Sequence, residues 1–74
     1  MEITELNTRF TYHTPFGDQT SRYEDIRRWG YNFASALDAT CPESRELSLA
    51  ITKIEEAVFW ANASIARREG VPKE

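Results

Sequence analysis

Arginine side chains and aromatic or imidazole rings are the residues of this sequence whose chemistry indicates a ligand. Four such rings follow one another near the start of the chain, at Phe10, Tyr12, His13 and Phe16, and five of the arginines lie at Arg22, Arg27, Arg28, Arg67 and Arg68. An arginine guanidinium can hold two phosphate oxygens at once, and an aromatic ring stacks on a nucleobase for roughly 1–3 kcal/mol. If the two ends of the chain meet, this combination suits a ligand that carries both phosphates and bases.

Each of these groups also has a structural interpretation. Arg67 and Arg68 could serve only to offset the negative C-terminal end of a helix dipole. Arg27 and Arg28 could form an ordinary solvated face, and the aromatic rings could close the end of a hairpin. His13 could be a general base, but the segment around it offers no convincing nucleophile with an orienting acid. We therefore expect no catalytic residues and no enzyme activity.

The length and composition of the chain limit how it can be stabilised. With 74 residues it is one domain, and a domain this small has a marginal core of its own. Its single cysteine excludes an intrachain disulfide, and one cysteine with one histidine cannot supply a structural zinc site. We expect no metal and no cofactor, and self-association becomes the remaining source of stability.

The net charge and the hydropathy of the chain narrow its partners. The net charge of −3 argues against DNA or RNA polymers, which require a broad basic face. No stretch approaches the ~18 apolar residues that span a bilayer, and the first residues are acidic and polar rather than those of a signal peptide. We expect no membrane partner and a protein that stays in the cytoplasm where it is made.

Apolar spacing predicts two long helices after a non-helical first segment. Residues 1–19 contain β-branched residues and a turn signal at Pro15-Phe16-Gly17-Asp18, which predict an extended aromatic arm. A first helix is predicted over 20–40, with Thr20 or Ser21 as its N-cap and an apolar stripe at Tyr23, Ile26, Gly30, Phe33 and Leu37. A second is predicted over 42–69, with Pro42 in its first turn and a stripe at Leu47, Ile51, Ile54, Val58, Ala61 and Ile65.

Two such helices with a short connection form an antiparallel hairpin. Gly30 would then mark either a close approach of the two helices or a bend. Both helices carry apolar side chains outside their stripes, at Trp29, Leu49, Phe59, Trp60, Ala63 and Ala66. A helix that is apolar on several sides expects several neighbours. The predicted fold is therefore all-α, with residues 1–74 as a single hairpin domain that assembles into a helical homo-oligomer.

Short motifs in both halves of the chain carry a resemblance to a known family. They are Tyr12-His13-Thr14-Pro15, Arg22-Tyr23 and Ile26-Arg27 in the first half, and Ser44-Arg45-Glu46, Glu55-Glu56-Ala57, Trp60-Ala61-Asn62-Ala63 and Ile65-Ala66-Arg67 in the second. Over roughly residues 10 to 68 the sequence resembles the hairpin domain shared by phage anti-CBASS cyclic-nucleotide sponges and some anti-Thoeris sponges.

The resemblance implies a function in which no bond is broken. Proteins of this family assemble into ring-like hexamers and bind cyclic dinucleotides such as 3′,3′-cGAMP, and in some members cyclic trinucleotides. By implication, this chain is a phage immune-evasion protein in the cytoplasm of the infected bacterium. It would sequester the second messengers of CBASS defence without cleaving them.

The resemblance also assigns ligand-binding positions in the first half of the chain. Tyr12 matches the family tyrosine that stacks on a base of the dinucleotide, and Arg27 falls where the family places a basic residue. His13 and Arg22 are candidate neighbours of this site. Phe10 is a further candidate for ligand binding, because its ring belongs to the same aromatic segment.

A second pocket of the family involves the C-terminal arginines. Either Arg67 or Arg68 matches an arginine associated with trinucleotide binding. Tyr31 stands where members that use this pocket carry a basic residue, and the departure weakens the expectation of trinucleotide binding.

An alternative function remains open at this point. The apolar helix faces could dock a protein partner, which would make the chain a small oligomeric adaptor or structural protein. Under that alternative, substitutions of Tyr12 or Arg27 leave function intact, whereas changes on the helix faces destroy it.

Overall fold

The computed structural model describes residues 1–70 of the chain. It contains three helices, α1 (Ile3–Phe10), α2 (Gln19–Thr40) and α3 (Arg45–Arg68), and no strand within the described residues. The all-α prediction is confirmed for this part of the chain. The predicted domain also included residues 71–74, which lie outside the described residues.

The first helix corrects the prediction of an extended arm over residues 1–19. Ile3–Phe10 is helical, and only the segment that starts at Thr11 has extended backbone (φ −103°, ψ 139°). The β-branched Thr8 is accommodated because its hydroxyl is satisfied within the helix, and the pair of Arg9 with Glu5 stabilises the helix. Thr8 Oγ1 donates to the Thr4 carbonyl at 2.9 Å, and Arg9 Nε donates to Glu5 Oε2 at 2.9 Å, one turn away.

The second helix starts at Gln19, directly after the turn at Gly17, where φ is +56°. Its N-cap is Asp18, so the expectation that Thr20 or Ser21 caps the helix is wrong. The Asp18 carboxylate makes no capping bond; it accepts Arg22 Nε at 3.1 Å instead. The Arg22 guanidinium, one turn along the helix, is therefore the donor to the Asp18 carboxylate in place of a backbone amide.

The third helix starts at Arg45 rather than at 42. Ser44 has extended backbone, and its Oγ accepts the Leu47 amide at 3.1 Å, which satisfies one of the unpaired amides of the first turn. Pro42 therefore lies in the connection before the cap and not in the first helical turn. Glu46 follows in the first turn, and Arg67 and Arg68 occupy the last, where their charges complement the helix dipole.

The two long helices pack antiparallel along one seam. Gln19 bonds to Glu69 at one end of the seam, and Gly30 lies against Val58 further along. A Cβ added at Gly30 would lie 2.5 Å from Val58 Cγ2. Of the two interpretations of Gly30, close approach of the partner helix is therefore the correct one.

A single seam leaves most of the apolar surface uncovered. The molecule measures 51 × 30 × 13 Å, and its smallest dimension is about the diameter of one helix. Among the described residues, Leu47 is the only buried apolar side chain, while Trp29 is 62 % and Trp60 66 % exposed. The hairpin therefore presents an apolar face on each side.

None of the helices among residues 1–70 has the continuous apolar length that a bilayer span requires.

The Gly30–Val58 contact gives a stability prediction. Gly30→Ala gains about 1 kcal/mol of helix propensity, but overpacking a tight contact costs about 1–3 kcal/mol. Val58 is branched at Cβ and has few alternative rotamers, so the cost should prevail. We expect a lower urea midpoint for Gly30→Ala, followed by circular dichroism.

Val58→Ala provides the matched background for this measurement. Removing the Val58 methyl groups opens the space that the new Cβ needs, so Gly30→Ala should be neutral or stabilising in that background. A Gly30→Ala variant as stable as the wild type would show that the seam is loose at this point.

Candidate ligand-binding site

The carboxylate of Glu69 joins the start of α2 to the end of α3. Arg22 grips it with both terminal nitrogens, Nη1 to Oε2 at 2.7 Å and Nη2 to Oε1 at 2.6 Å. Gln19 Nε2 adds a third donor to Oε1 at 2.9 Å. Hydrogen bonds from Arg22 and then Gln19 lower the pKa of Glu69 from its ordinary 4.5 to about 2.

The carboxylate of Glu5 joins α1 to α3 in the same way. Arg68 donates from Nη1 to Oε1 at 2.8 Å and from Nη2 to Oε2 at 2.9 Å, and Arg9 bonds to the same group. The hydrogen bonds from Arg68 and Arg9 lower the pKa of Glu5 to about 2. Both carboxylates are therefore acceptors of fixed, charge-assisted hydrogen bonds.

These pairs distinguish the candidate arginines from one another. Arg22 and Arg68 are held in bidentate pairs, and Arg28 bonds to Asp25 Oδ1 at 2.6 Å on the surface of α2. Arg27 and Arg67 form no ion pair with any residue from 1 to 70. Among the arginines proposed as ligand-binding residues, Arg27 and Arg67 are therefore the two whose charges remain available to an anionic ligand.

A groove of about 440 Å³ brings Arg27 and Arg67 together with the ring-bearing segment. We name it the ring–arginine groove; it is lined by Arg9, Thr11, Tyr12, His13, Pro15, Tyr23, Arg27, Asn62, Ala63, Ala66 and Arg67. Four of the residues predicted from sequence meet here: Tyr12, His13, Arg27 and Arg67. Tyr12 is 80 % exposed, so its ring is accessible for stacking on a planar group.

His13 contributes to the shape of this groove. Its Nε2 lies 2.8 Å from the Thr8 carbonyl oxygen. Because a carbonyl oxygen can only accept, Nε2 carries the proton, and in the neutral ring Nδ1 remains an acceptor. The half-buried imidazole thus ties the segment after α1 back onto that helix and still presents one nitrogen for a hydrogen bond.

Two buried polar atoms belong to residues of the groove that the sequence analysis missed. Tyr23 Oη and Asn62 Oδ1 are buried and have no hydrogen-bond partner within the described residues. An unmade hydrogen bond at such an atom costs roughly 1–3 kcal/mol. Tyr23 was assigned to the apolar stripe, and both residues belong to motifs of the resemblance, but neither was assigned to the site; the amide of Asn62 between Ala61 and Ala63 was a visible signal.

A second groove of about 440 Å³ lies beside the first and contains the remaining candidates Phe10 and Arg68. Trp60 and Ser64 line it from α3, and Arg9 and Arg67 line both grooves. Arg22 lines neither groove, since its guanidinium is bound to Glu69 and Asp18. The structure therefore separates the predicted site residues into two adjacent sets and leaves Arg22 outside both.

The donor chemistry of the site is that of a binding groove. Among residues 1–70 there is no cluster of three histidine, cysteine, aspartate or glutamate side chains that could share a metal ion. The residues that line the ring–arginine groove offer guanidinium, phenol, imidazole and amide groups. These groups recognise phosphate oxygens and the edges and faces of bases.

Fold and site together define a small helical-hairpin protein with a groove suited to a ligand that carries phosphates and rings. Its sequence matches the family model of the Acb2/Tad1 hairpin domain over residues 1–66. The chain therefore belongs to this family, that of the anti-CBASS and anti-Thoeris sponge proteins. No curated protein and no solved structure matches it.

The two carboxylate clusters predict how stability depends on acid. Because the folded pKa values of Glu5 and Glu69 lie below the ordinary 4.5, their contribution is present above about pH 5 and is lost as the pH falls toward 2. Thermal melts by circular dichroism should show a constant midpoint from pH 7 to 5 and a falling one below. Glu69→Gln should be less stable at pH 7 and less sensitive to acid.

Glu56→Gln is the matched control for this experiment, because it removes the carboxylate of a weak exposed pair with Lys53 at 3.5 Å. It should keep the acid dependence of the wild type. If Glu69→Gln follows the wild-type curve between pH 5 and 2, the pair with Arg22 contributes nothing to folding.

Proposed function

We propose that this protein binds cyclic dinucleotides in the ring–arginine groove and sequesters them without cleaving them. The observation that carries the proposal is the pairing of two uncompensated arginines, Arg27 and Arg67, with the exposed ring of Tyr12 in one groove of a sponge-family hairpin. In this proposal the guanidinium groups bind the phosphates and the phenol ring stacks on a base.

The energetics favour a ligand with both kinds of group. Hydrogen bonds to charged groups contribute roughly 1.5–3 kcal/mol each, and stacking of a base on an aromatic ring contributes roughly 1–3 kcal/mol. A sponge acts by stoichiometry and must compete with the effector of its messenger, which calls for nanomolar affinity, about −12 kcal/mol. A ligand that engages both the arginines and the Tyr12 ring therefore gains more from this groove than one that engages only phosphates or only bases.

The lining of the groove supports binding rather than hydrolysis. The residues that line it include no aspartate or glutamate that could hold a metal or orient His13 as a base. His13 itself is bound through Nε2 to a backbone carbonyl. We infer that the protein does not cleave the bound nucleotide and releases it unchanged.

The proposal includes a homo-oligomer, which we take to be the hexamer that the family implies. The exposed aromatic residues on both faces of the 13 Å hairpin are the supporting observation. A second copy placed over the open groove would enclose the ligand from the other side. We further propose that the protein is phage-encoded and acts in the cytoplasm of the infected bacterium.

Cyclic trinucleotides are the second ligand class within this proposal. The neighbouring groove contains two rings, those of Phe10 and Trp60, beside Arg67. Arg67 forms no ion pair among residues 1–70. Tyr31, which lines a different groove, brings no basic group to this site.

An adaptor function is the alternative, and one observation favours it. A nearly wholly apolar groove of about 840 Å³ runs along the seam on one face, lined by Trp29, Phe33, Leu37, Ala50 and other residues of α2 and α3. A helix of a partner protein could occupy such a groove. Calorimetric titration with a cyclic dinucleotide distinguishes the adaptor from the nucleotide-binding protein.

Calorimetric titration with 3′,3′-cGAMP tests the proposed function. We expect saturable binding, and release of unchanged nucleotide when the complex is heated. Tyr12→Ala and Arg27→Ala should each weaken binding roughly ten- to hundredfold, since each removes one stacking or charge-assisted contact.

Arg28→Ala is the matched control, because it removes the same charge one residue further along α2, where the side chain pairs with Asp25 outside the groove. It should bind like the wild type. Recovery of a linear nucleotide would establish hydrolysis, and absence of binding with intact biological activity would favour the adaptor.

The assembly is tested separately by sedimentation. We expect the protein to sediment well above the 8.6 kDa of one chain. Phe33→Glu places a charge in the apolar groove and should shift the protein toward the monomer, because the charge must be desolvated in the interface. Asn32→Glu makes the same charge change at an exposed neighbouring position, and it should leave the oligomer unchanged. A wild-type monomer would exclude the assembly.

A further inference from the structure

Gln19 combines a polar side chain with the deepest burial in the described part of the chain. It is 2 % exposed, in a hairpin where only Leu47 is also buried. Buried polar side chains are retained at a cost unless every hydrogen-bonding atom has a partner. The buried amide group of Gln19 therefore requires hydrogen-bond partners within the protein.

The amide group of Gln19 bridges the ring-bearing segment and the end of α3. Its Oε1 accepts the Phe16 amide at 3.1 Å, and its Nε2 donates to Glu69 Oε1 at 2.9 Å. The backbone amide of Gln19 also donates to the Phe16 carbonyl at 3.1 Å. Since an amide N–H only donates and a carboxylate only accepts, the orientation of the side chain is fixed.

Residues 11–17, between α1 and α2, carry Tyr12 and His13 without helical or strand hydrogen bonds of their own. His13 attaches the segment to the Thr8 carbonyl at one end, and Phe16 attaches it to Gln19 at the other. Tyr12 lies next to His13 in this doubly attached segment, and both line the same groove as Arg27 and Arg67.

We propose that Gln19 is a positioning residue for ligand binding, which holds Tyr12 and His13 in the same groove as the arginines through Phe16 and Glu69. The inference rests on the proposed function. Arg22 contributes to the same positioning, because it fixes the Glu69 carboxylate that Gln19 needs as acceptor. Arg22 itself does not line the groove. The cluster of Gln19, Arg22 and Glu69 is therefore a latch on the binding segment.

Loss of the latch would free the segment and reduce affinity without removing any ligand contact. The bound geometry would then have to be ordered during binding, which weakens association. We expect Gln19→Ala to bind 3′,3′-cGAMP roughly tenfold or more weakly by calorimetry, with the helical circular dichroism signal retained. Arg22→Ala should weaken binding similarly, and Arg28→Ala should not.

A double-mutant cycle separates positioning from a general loss of structure. If Gln19 acts through Tyr12, Gln19→Ala should have little further effect in a Tyr12→Ala background, whereas its effect should add to that of Arg27→Ala. Additive effects in both backgrounds would overturn the inference. The dependence of affinity on salt should decrease in Arg27→Ala and stay at the wild-type value in Arg22→Ala, because only Arg27 meets the anion.

An exchange of the two side chains provides a rescue. Gln19→Glu alone sets two carboxylates against each other and should lose affinity. Combining it with Glu69→Gln restores one amide beside one carboxylate and should recover part of the binding, because residue 69 then keeps only one oxygen for Arg22. Failure of the double variant to recover, while it remains helical, would contradict the latch.

Amide hydrogen exchange tests the latch without any ligand. In Gln19→Ala, exchange should become faster at the Phe16 amide, which loses its acceptor, while the centres of α2 and α3 keep their wild-type rates. Unchanged exchange at this amide would overturn the inference even if the nucleotide binds. Absence of nucleotide binding by the wild type, with faster exchange in the variant, would instead refute the proposed function and keep the latch.

Discussion

The ion pairs at the end of α3 are the contacts on which the arrangement of this hairpin depends. Glu69 receives Arg22 from α2, and Arg68 reaches Glu5 of α1, so both other helices are attached at one place. Bidentate guanidinium–carboxylate pairs fix direction as well as distance. They bring the ring-bearing segment beside α3, and they also occupy two of the arginines that sequence alone would offer to a ligand.

The second constraint is that two helices share only one seam. Gly30 lets α2 approach Val58 closely, yet the resulting layer is 13 Å thick and covers few side chains. A chain of this size cannot bury both faces of its helices by itself. Exposed tryptophan and phenylalanine side chains therefore fit a protein whose stability and whose site are completed by further copies, as the proposed assembly requires.

The same geometry connects stability with recognition. Arg27 and Arg67 form no ion pair among the described residues, whereas Glu5 and Glu69 are bound by Arg9, Arg22 and Arg68. Tyr12 and His13 reach them on a segment that is attached to α1 by His13 and to α2 by Gln19. Membership in the sponge family and this division of the arginines point to the same ligand chemistry, phosphates joined to stacking rings.

The sequence by itself determined the two long helices, their antiparallel pairing and the family. These features follow from local spacing and from motifs that can be read along the chain. It also indicated that Tyr12, His13 and Arg27 belong to one site, whereas the structure added Arg67 to that groove. The sequence did not reveal that Ile3–Phe10 is helical, that Arg22 and Arg68 are held by carboxylates, or that Tyr23 and Asn62 line the groove. Only the tertiary structure decided these points, because the partners of an arginine lie 47 or 63 residues away, and the choice between ligand and ion pair depends on which carboxylate the fold brings within reach.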